Sequence, residues 1–428
     1  MKVFKFGGAS VKDASAIINV AKIISLYQGQ NLVVVVSAMG KVTNMLEQLT
    51  KAYFYKKDNA FEILDQLREY HHQIVQELFP DNKHHIYNEI NNVFVEIEWA
   101  IEEDALREYD YEYDQIVSTG ELLSSKIVSA YLNLNGNVNK WLDARDFLQT
   151  DNTYREGKVN WDSTQSIWNK DIMPFFNAEP KSANGKIMVT QGFIGATSEN
   201  FTTTLGREGS DYTAAIVAHI SNAENLTIWK DVPGVLNADP KWFDDTEILK
   251  HISYHDAIEL AYYGASVIHP KTIKPLQNKN IPLLVKSFVN PQSQGTTIDD
   301  NPTKLPVASF IFKVNQVLVS ISPKDFSFIV EENLSDIFKL FADYRVKINV
   351  MQNTALKFSV CIDFDERKTP ELIEQLRKNY NITFNDNLEL VTIRYYDQKT
   401  IERVTINKQV FLELKSRNTV QMVMKNRD

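Results

Sequence analysis

The 428-residue sequence predicts an α/β protein with a mainly parallel central sheet between helices, a helical insertion, and a smaller α+β unit behind it. Three observations carry this. The chain opens as strand, glycine turn, helix, strand. Alternating strands and helices return after residue 187. The last 120 residues or so follow a βαββαβ order, which is ferredoxin-like.

Residues 2–6 are short and apolar-rich, and Gly7-Gly8 break them. Ser10, with Asp13 three residues on, is placed to cap the next helix. Val11, Ala14, Ile17, Ile18, Ala21 and Ile24 then recur at helical spacing. Leu32 to Val36 is almost wholly apolar, as a strand buried on both faces requires. Residues 44–115 are helical in pattern, rich in Glu, Tyr and Lys and poor in Gly and Pro, and read as an insertion. The carboxylates between Glu96 and Asp114 read as a solvated helix face. His71-His72 and His84-His85 are adjacent pairs that point to different faces of a helix, so no metal site is assigned.

Strands are expected at Ile187–Thr190, Leu226–Trp229 and Leu283–Ser287, with helices starting near Ser210, Ser253 and His269. Residues 290–306 have the Asn, Pro, Thr, Ser and Gln content of a linker. Beyond it the expected order is strand 317–322, helix 334–344, strands 346–351 and 356–363, helix 370–379 and strand 388–395. Three further short strands are expected to about Met424. The domain boundaries that follow are 1–300 and 306–428.

Bulk composition excludes some functions. With 43% hydrophobic and 24% charged residues the chain is of ordinary globular type. A net charge of −9 disfavours nucleic acid, whose phosphates need a basic face. No apolar run approaches the roughly 20 residues needed to cross a bilayer. No basic-then-apolar leader precedes the first strand. The single cysteine, Cys361, lies in a Phe-Ser-Val-Cys-Ile strand pattern and reads as an inert core thiol. The absence of a disulfide framework fits a cytoplasmic setting.

Four segments can carry chemistry. Lys5-Phe6-Gly7-Gly8-Ala9-Ser10 places glycines and a helix N-terminus where phosphate could bind, with Lys5 as a full charge. Taken alone, it fits a tight turn with a surface lysine as well. Ser37 to Asn44 puts small and hydroxyl residues at a parallel strand's carboxyl end, where ligands bind in open α/β sheets; a capped loop is the alternative. Arg207 and Asp211 lie four residues apart among glycines. They could hold a zwitterion, since Arg grips carboxylate in two places, or form a local salt bridge. Trp229-Lys230-Asp231-Val232-Pro233-Gly234 turns sharply at a strand end and gathers charge, as an ordinary loop also could.

Together these segments resemble the aspartate kinases of the amino-acid-kinase superfamily. The resemblance spans about residues 2–300. It includes Ser118-Thr119-Gly120-Glu121-Leu122, Thr190-Gln191-Gly192-Phe193-Ile194-Gly195 and Gly264-Ala265-Ser266-Val267-Ile268-His269-Pro270. It implies a three-layer αβα, carbamate-kinase-like catalytic domain followed by an ACT-type regulatory region, with one full unit and a reduced second. It implies transfer of the ATP γ-phosphoryl group, with Mg²⁺, to the β-carboxylate of L-aspartate. The product, 4-phospho-L-aspartate, feeds lysine, threonine and methionine synthesis. Lys5, Arg207 and Asp211 would be catalytic. Ser37, Thr43, Glu121, Arg207 and Asp211 would bind aspartate. Lys5, Gly7, Gly8, Ser10, Lys230, Asp231, Leu236, Lys241 and Ser266 would bind ATP. A homodimer and a lysine or threonine effector at the ACT region are further implications.

Ala9, Glu208, Lys230, Leu236, Lys241 and Ser266 stand where the family commonly has Thr, Gly, Thr, Tyr, Arg and Lys. Those departures leave two alternatives: a glutamate or acetylglutamate kinase, or an inactive kinase fold that senses an amino acid.

Overall fold

The computed structural model describes residues 1–178, 185–265, 268–302, 307–325 and 327–427. Two units emerge. One takes in Met1–Val235, Lys250–Ile258 and Ile268–Pro302, the other Leu236–Leu249, Glu259–Val267 and Thr303–Asp428. Among the described residues no helix is long and apolar enough to cross a membrane.

The first unit begins with β1 (Lys2–Phe6), a 3-10 turn at Gly8–Val11, α1 (Ala14–Ser25) and β2 (Leu32–Val36). Helices α2 (Val42–Phe54), α3 (Ala60–Leu78), α4 (Ile86–Glu102) and α5 (Tyr109–Val117) form the expected insertion. After α6 (Thr119–Leu134) come β3 (Asn139–Leu142), α7 (Trp161–Ile167), α8 (Met173–Asn177) and β4 (Ile187–Gln191). A hairpin of β5 (Ile194–Ala196) and β6 (Thr202–Thr204) leads into α9 (Gly209–Ile220) and β7 (Asn225–Lys230). The chain continues through β8 (His251–Ser253), α10 (Tyr254–Tyr263), α11 (Pro270–Gln277), β9 (Leu283–Ser287) and β10 (Thr296–Asp299).

The eight-stranded sheet runs β3-β4-β2-β1-β7-β9-β10-β8. It is parallel from β3 to β9, and β10 turns antiparallel to β9. Every residue of β2 and β4 is buried, which accounts for the unbroken apolar run of β2. Phe6 stacks on Trp229 at 6.1 Å, and Phe4 meets the same indole edge-on at 5.7 Å. From β1 the chain crosses to β2 on one side, and later enters β7 on the other. That strand reversal opens a crevice at the carboxyl ends, the usual ligand position in such sheets.

Three readings need correction. Asp13, not Ser10, caps α1: its carboxylate accepts Ala16 N–H at 2.8 Å. Ser10 sits in the 3-10 turn and donates to Trp229 C=O at 3.4 Å. Thr296–Asp299 is a strand inside the stretch read as linker; Thr296 and Ile298 alternate inward, an alternation hidden by polar composition. Asp114 is not on a solvated face, for it is fully buried under hydrogen bonds described below.

In the second unit, β11 (Ser309–Pro323) precedes α12 (Glu331–Asp343), β12 (Ile348–Asn353), β13 (Phe358–Asp363), α13 (Lys368–Asn379) and β14 (Tyr380–Arg394). This is the expected βαββαβ order. Next come α14 (Gln398–Thr405), β15 (Lys408–Lys415) and β16 (Thr419–Asn426). The antiparallel sheet runs β12-β13-β11-β14-β16-β15. The 15-residue strands β11 and β14 pair along their length with a bulged register near Gln316. Among the described residues they thereby serve three clusters. Val319, Ile321, Ile337, Phe358 and Leu376 fill one, Ile393, Ile401, Val404, Met422 and Met424 another, and Leu318, Leu388 and Leu390 a third.

Where three short strands were expected after residue 395, the chain forms one helix and two strands. Asp397 caps that helix, accepting Thr400 N–H at 2.8 Å while Thr400 Oγ1 accepts Asp397 N–H at 2.9 Å. Only Ile401 and Val404 are buried on it, too few apolar positions to show a helical period. Cys361 is buried in β13 as expected, its thiol directed at Gln316 Oε1 at 3.5 Å.

Candidate active site

The crevice gathers residues from four chain segments. Lys5, near the end of β1, forms a 2.6 Å ion pair with Asp211 in the first turn of α9, and both side chains are almost wholly buried. Glu121, in the first turn of α6, is 3% exposed. Its Oε1 accepts Ala38 N–H at 3.2 Å, beyond the end of β2. Its Oε2 is enclosed without a hydrogen-bond partner among the described residues. Burial pushes the Glu121 carboxyl up to about 8, although the Ala38 amide and the Lys5 charge both pull it down. Burial therefore favours the neutral acid there unless a cation is brought beside it.

Close backbone approach explains two glycines here. A Cβ on Gly8 would lie 2.9 Å from Ala38 C=O and 3.0 Å from Gly40 C=O. Gly40 N–H in turn donates to Gly8 C=O at 3.0 Å, tying the two loops together. A Cβ on Gly192, just after β4, would collide with Ser210 Cβ at 2.5 Å. That contact lets the N-terminus of α9 sit against the sheet and bring Asp211 to Lys5. Ser37 is held by its N–H to Phe6 C=O at 3.1 Å, and its C=O accepts Ser124 Oγ at 2.7 Å. Thr43 is half-buried in the first turn of α2.

The N-terminal ends of α2, α6 and α9 supply partial positive charge at their first turns. Arg207 is exposed two residues before α9. Lys230 closes β7, and Asp231 is exposed just after it. The arrangement offers one lysine at a glycine turn and two buried carboxyl groups, with an exposed guanidinium at Arg207 ahead of α9.

Residues 1–287 match the model of the amino acid kinase family. The chain belongs to the amino acid kinase family. It is similar to the bifunctional aspartokinase/homoserine dehydrogenase 2 of Arabidopsis thaliana, 32% identical over 392 residues. That match covers 89% of this chain and 42% of the relative, so the chain spans about two fifths of that plant protein. The lysine-sensitive aspartokinase 3 of Escherichia coli (strain K12) is 28% identical over 91% of this chain and 86% of its own. A solved structure of E. coli aspartokinase III with aspartate and ADP superposes with a TM-score of 0.81. It has 25% identity, covering 99% of this chain and 96% of that one.

In this amino acid kinase, the first unit brings several of the expected site residues together. Lys5, Gly7, Gly8, Ser37, Glu121 and Asp211 come together there. Leu236 and Lys241 belong to the second unit. Leu236 bridges Ile248, and Lys241 is exposed with its N–H on Asp239 Oδ1 at 2.9 Å. Ser266 lies outside the described residues. Glu208 adopts the left-handed backbone, φ 54°, a conformation suited to glycine. Its carboxylate accepts His269 N–H at 3.0 Å. Sequence reasoning missed Ala38, which acts through its backbone amide and so leaves no side-chain signal. It also missed any reason for Gly192 beyond its place in a motif.

Proposed function

We propose that this kinase transfers the γ-phosphoryl group of ATP to the β-carboxylate of L-aspartate, giving 4-phospho-L-aspartate. The observation that carries the reading is the buried Lys5–Asp211 pair, at the carboxyl ends of β1 and β2, together with buried Glu121, whose Oε2 has no hydrogen-bond partner among the described residues. The nucleophile is a carboxylate, whose ordinary pKa of about 3.9 leaves it ionised at neutral pH. It needs no general base. The obstacle is the meeting of two anions, so positioning and positive charge do the work.

Lys5 faces the transferring oxygens, and Asp211 fixes where its ammonium points. Gly7 and Gly8 allow phosphate to approach the backbone, with Ser10 behind them. Glu121 takes the substrate ammonium on its free oxygen, with Asp211 near it. Arg207 takes the α-carboxylate, and Ser37 and Thr43 line the same end. Lys230 and Asp231 border the nucleotide; for Leu236, Lys241 and Ser266 the family pattern alone suggests an ATP-binding role. Mg²⁺ is carried on the phosphates, with no protein ligand assigned.

On this reading the product enters lysine, threonine and methionine synthesis in the cytoplasm. The second unit acts as an ACT-type regulatory region open to lysine or threonine. Phe328, Met351 and Leu356 are exposed on that unit, which supports pairing of two chains there. The test is aspartate-dependent ADP release by the pure protein with Mg-ATP. Lys5→Ala, shown folded by circular dichroism, should lose that turnover by at least about a hundredfold. Wild-type protein that hydrolyses or transfers nothing in the presence of aspartate refutes the assignment.

A further inference from the structure

Asp114 is a carboxylate with no exposure at all, and the chemistry above does not use it. It lies in α5, seven residues before Glu121, with only Ser118 separating α5 from α6. Its Oδ2 accepts two backbone amides, Thr204 N–H and Arg155 N–H, each at 2.9 Å. Its Oδ1 accepts the Thr204 hydroxyl at 2.7 Å. Thr204 ends β6, three residues before Arg207. Next to these bonds Gln115 Nε2 donates to Thr202 C=O at 2.9 Å, a second stitch between α5 and β6.

The Arg155 amide belongs to a loop that also flanks the Arg207 turn. Arg155 has a left-handed backbone, φ 67°, costly for a non-glycine residue. Gly157 N–H donates to Thr204 C=O at 2.8 Å, so the loop and the end of β6 hold each other. A Cβ on Gly206 would lie 3.1 Å from Arg155 C=O, which places the loop directly against the turn. One carboxylate therefore fastens three segments: the helix pair that carries Glu121, the strand that leads to Arg207, and the loop packed on Gly206.

We propose that Asp114 is a positioning residue that fixes the Arg207 turn relative to Glu121, and so sets affinity for the amino-acid substrate without touching it. The inference rests on the assignment of Arg207 and Glu121 to the two α-groups of aspartate. Carboxylate and ammonium on one α-carbon demand a fixed separation of their partners, and a displacement of about 1 Å is enough to cost orders of magnitude in rate. Lys5 and Gly8, assigned to phosphate on the same reading, lie on β1 and the turn after it rather than on β6 or the 155 loop.

The substitution Asp114→Ala leaves two buried amides without an acceptor. Asp114→Asn can restore all three bonds, with its C=O accepting both amides and its NH₂ donating to Thr204 Oγ1. Thr204→Val removes the hydroxyl bond alone. Steady-state kinetics would be measured for aspartate and for ATP in wild type and all three variants. The expected pattern is a KM for aspartate raised at least about tenfold in Asp114→Ala and about threefold in Thr204→Val. It should return to within about twofold of wild type in Asp114→Asn, with the KM for ATP unmoved throughout.

A merely structural role would lower folding stability and move both KM values together, or neither, and that result overturns the proposal. So does an Asn variant as impaired as the Ala variant. If Asp114→Ala does not fold, an unchanged aspartate KM in Thr204→Val overturns it alone. Wild-type protein without aspartate turnover defeats the underlying assignment instead, and is told apart because every variant is then silent.

Discussion

Replacing Glu121 by Gln tests the electrostatics of the site most directly. The structure gives this carboxyl one amide donor and no cation of its own, because Lys5 is paired with Asp211. Its affinity for a proton is raised by burial to about 8, from an ordinary value near 4.5. At pH 7 it sits about one unit below that midpoint. About nine in ten unliganded molecules then carry the neutral acid, and ionising it costs about 1.4 kcal/mol. On the proposed assignment, binding of the substrate ammonium demands the carboxylate, so binding should expel that proton. The expected KM for aspartate falls about tenfold as pH rises from 7 to above 8, and climbs about tenfold per unit below 7. Calorimetry in buffers of different ionisation enthalpy should show about 0.9 proton released per aspartate bound at pH 7.

The same shift makes a statement about stability. A raised carboxyl contributes stability that is full below about 4.5 and is lost as pH rises through about 8. Glu121→Gln keeps the Ala38 N–H acceptor and cannot titrate. Its unliganded form should therefore lack the alkaline decline, and its aspartate KM should be high but flat with pH. A wild-type KM that does not change between pH 6.5 and 8.5, or an equal slope in the Gln variant, refutes the reasoning.

Other expectations follow from single groups. His71 is fully buried in α3, and burial holds it down to about 4 despite its bond to Leu67 C=O. The fold keeps it neutral, so its contribution is present above about 6.5 and is lost as pH falls toward 4. The loss is about 3 kcal/mol, read as a steeper acid limb in denaturant titrations that His71→Leu flattens. Burial pushes the Cys361 thiol up to about 12, so native protein should resist alkylation at pH 8 and react only after unfolding. Glu208→Gly relieves a left-handed backbone, worth about 1 kcal/mol, but removes the acceptor for His269 N–H. The two effects offset, and the melting temperature should move little. Lys230→Thr should raise the KM for ATP, and an unchanged value dismisses Lys230 as a nucleotide contact.

The centre of the sheet was legible because β1, β2, β4 and β7 are largely buried on both faces. Leu32 to Val36 cannot be a solvated segment, and the glycine turn after β1 gained its meaning only beside the other segments. The helical insertion was legible because α3 and α4 each bury a full apolar stripe. What escaped had no such pattern. β10 is short and polar, and its strand character comes from pairing with β9 and β8, far from it in sequence for β8. α14 is two turns long and depends on its cap. Asp114 sat within a run of carboxylates, and one buried acid among many exposed ones has no sequence signature. Only the arrival of Thr204, ninety residues on, distinguishes it.

Charge accounting ties the site together. The unliganded crevice holds two buried carboxyl groups, Glu121 and Asp211, against one buried lysine. Two ionised acids and one cation would leave a net negative charge in a medium that screens poorly. The structure resolves this by pairing Lys5 with Asp211 and raising the proton affinity of Glu121. On the proposed reading, aspartate brings an ammonium that the second acid can neutralise, and ATP brings phosphate that Lys5 can meet. On that reading the ammonium pairs with an ionised Glu121 and leaves Lys5 on Asp211, so the buried charges balance, whereas phosphate without the ammonium would compete with Asp211 for Lys5.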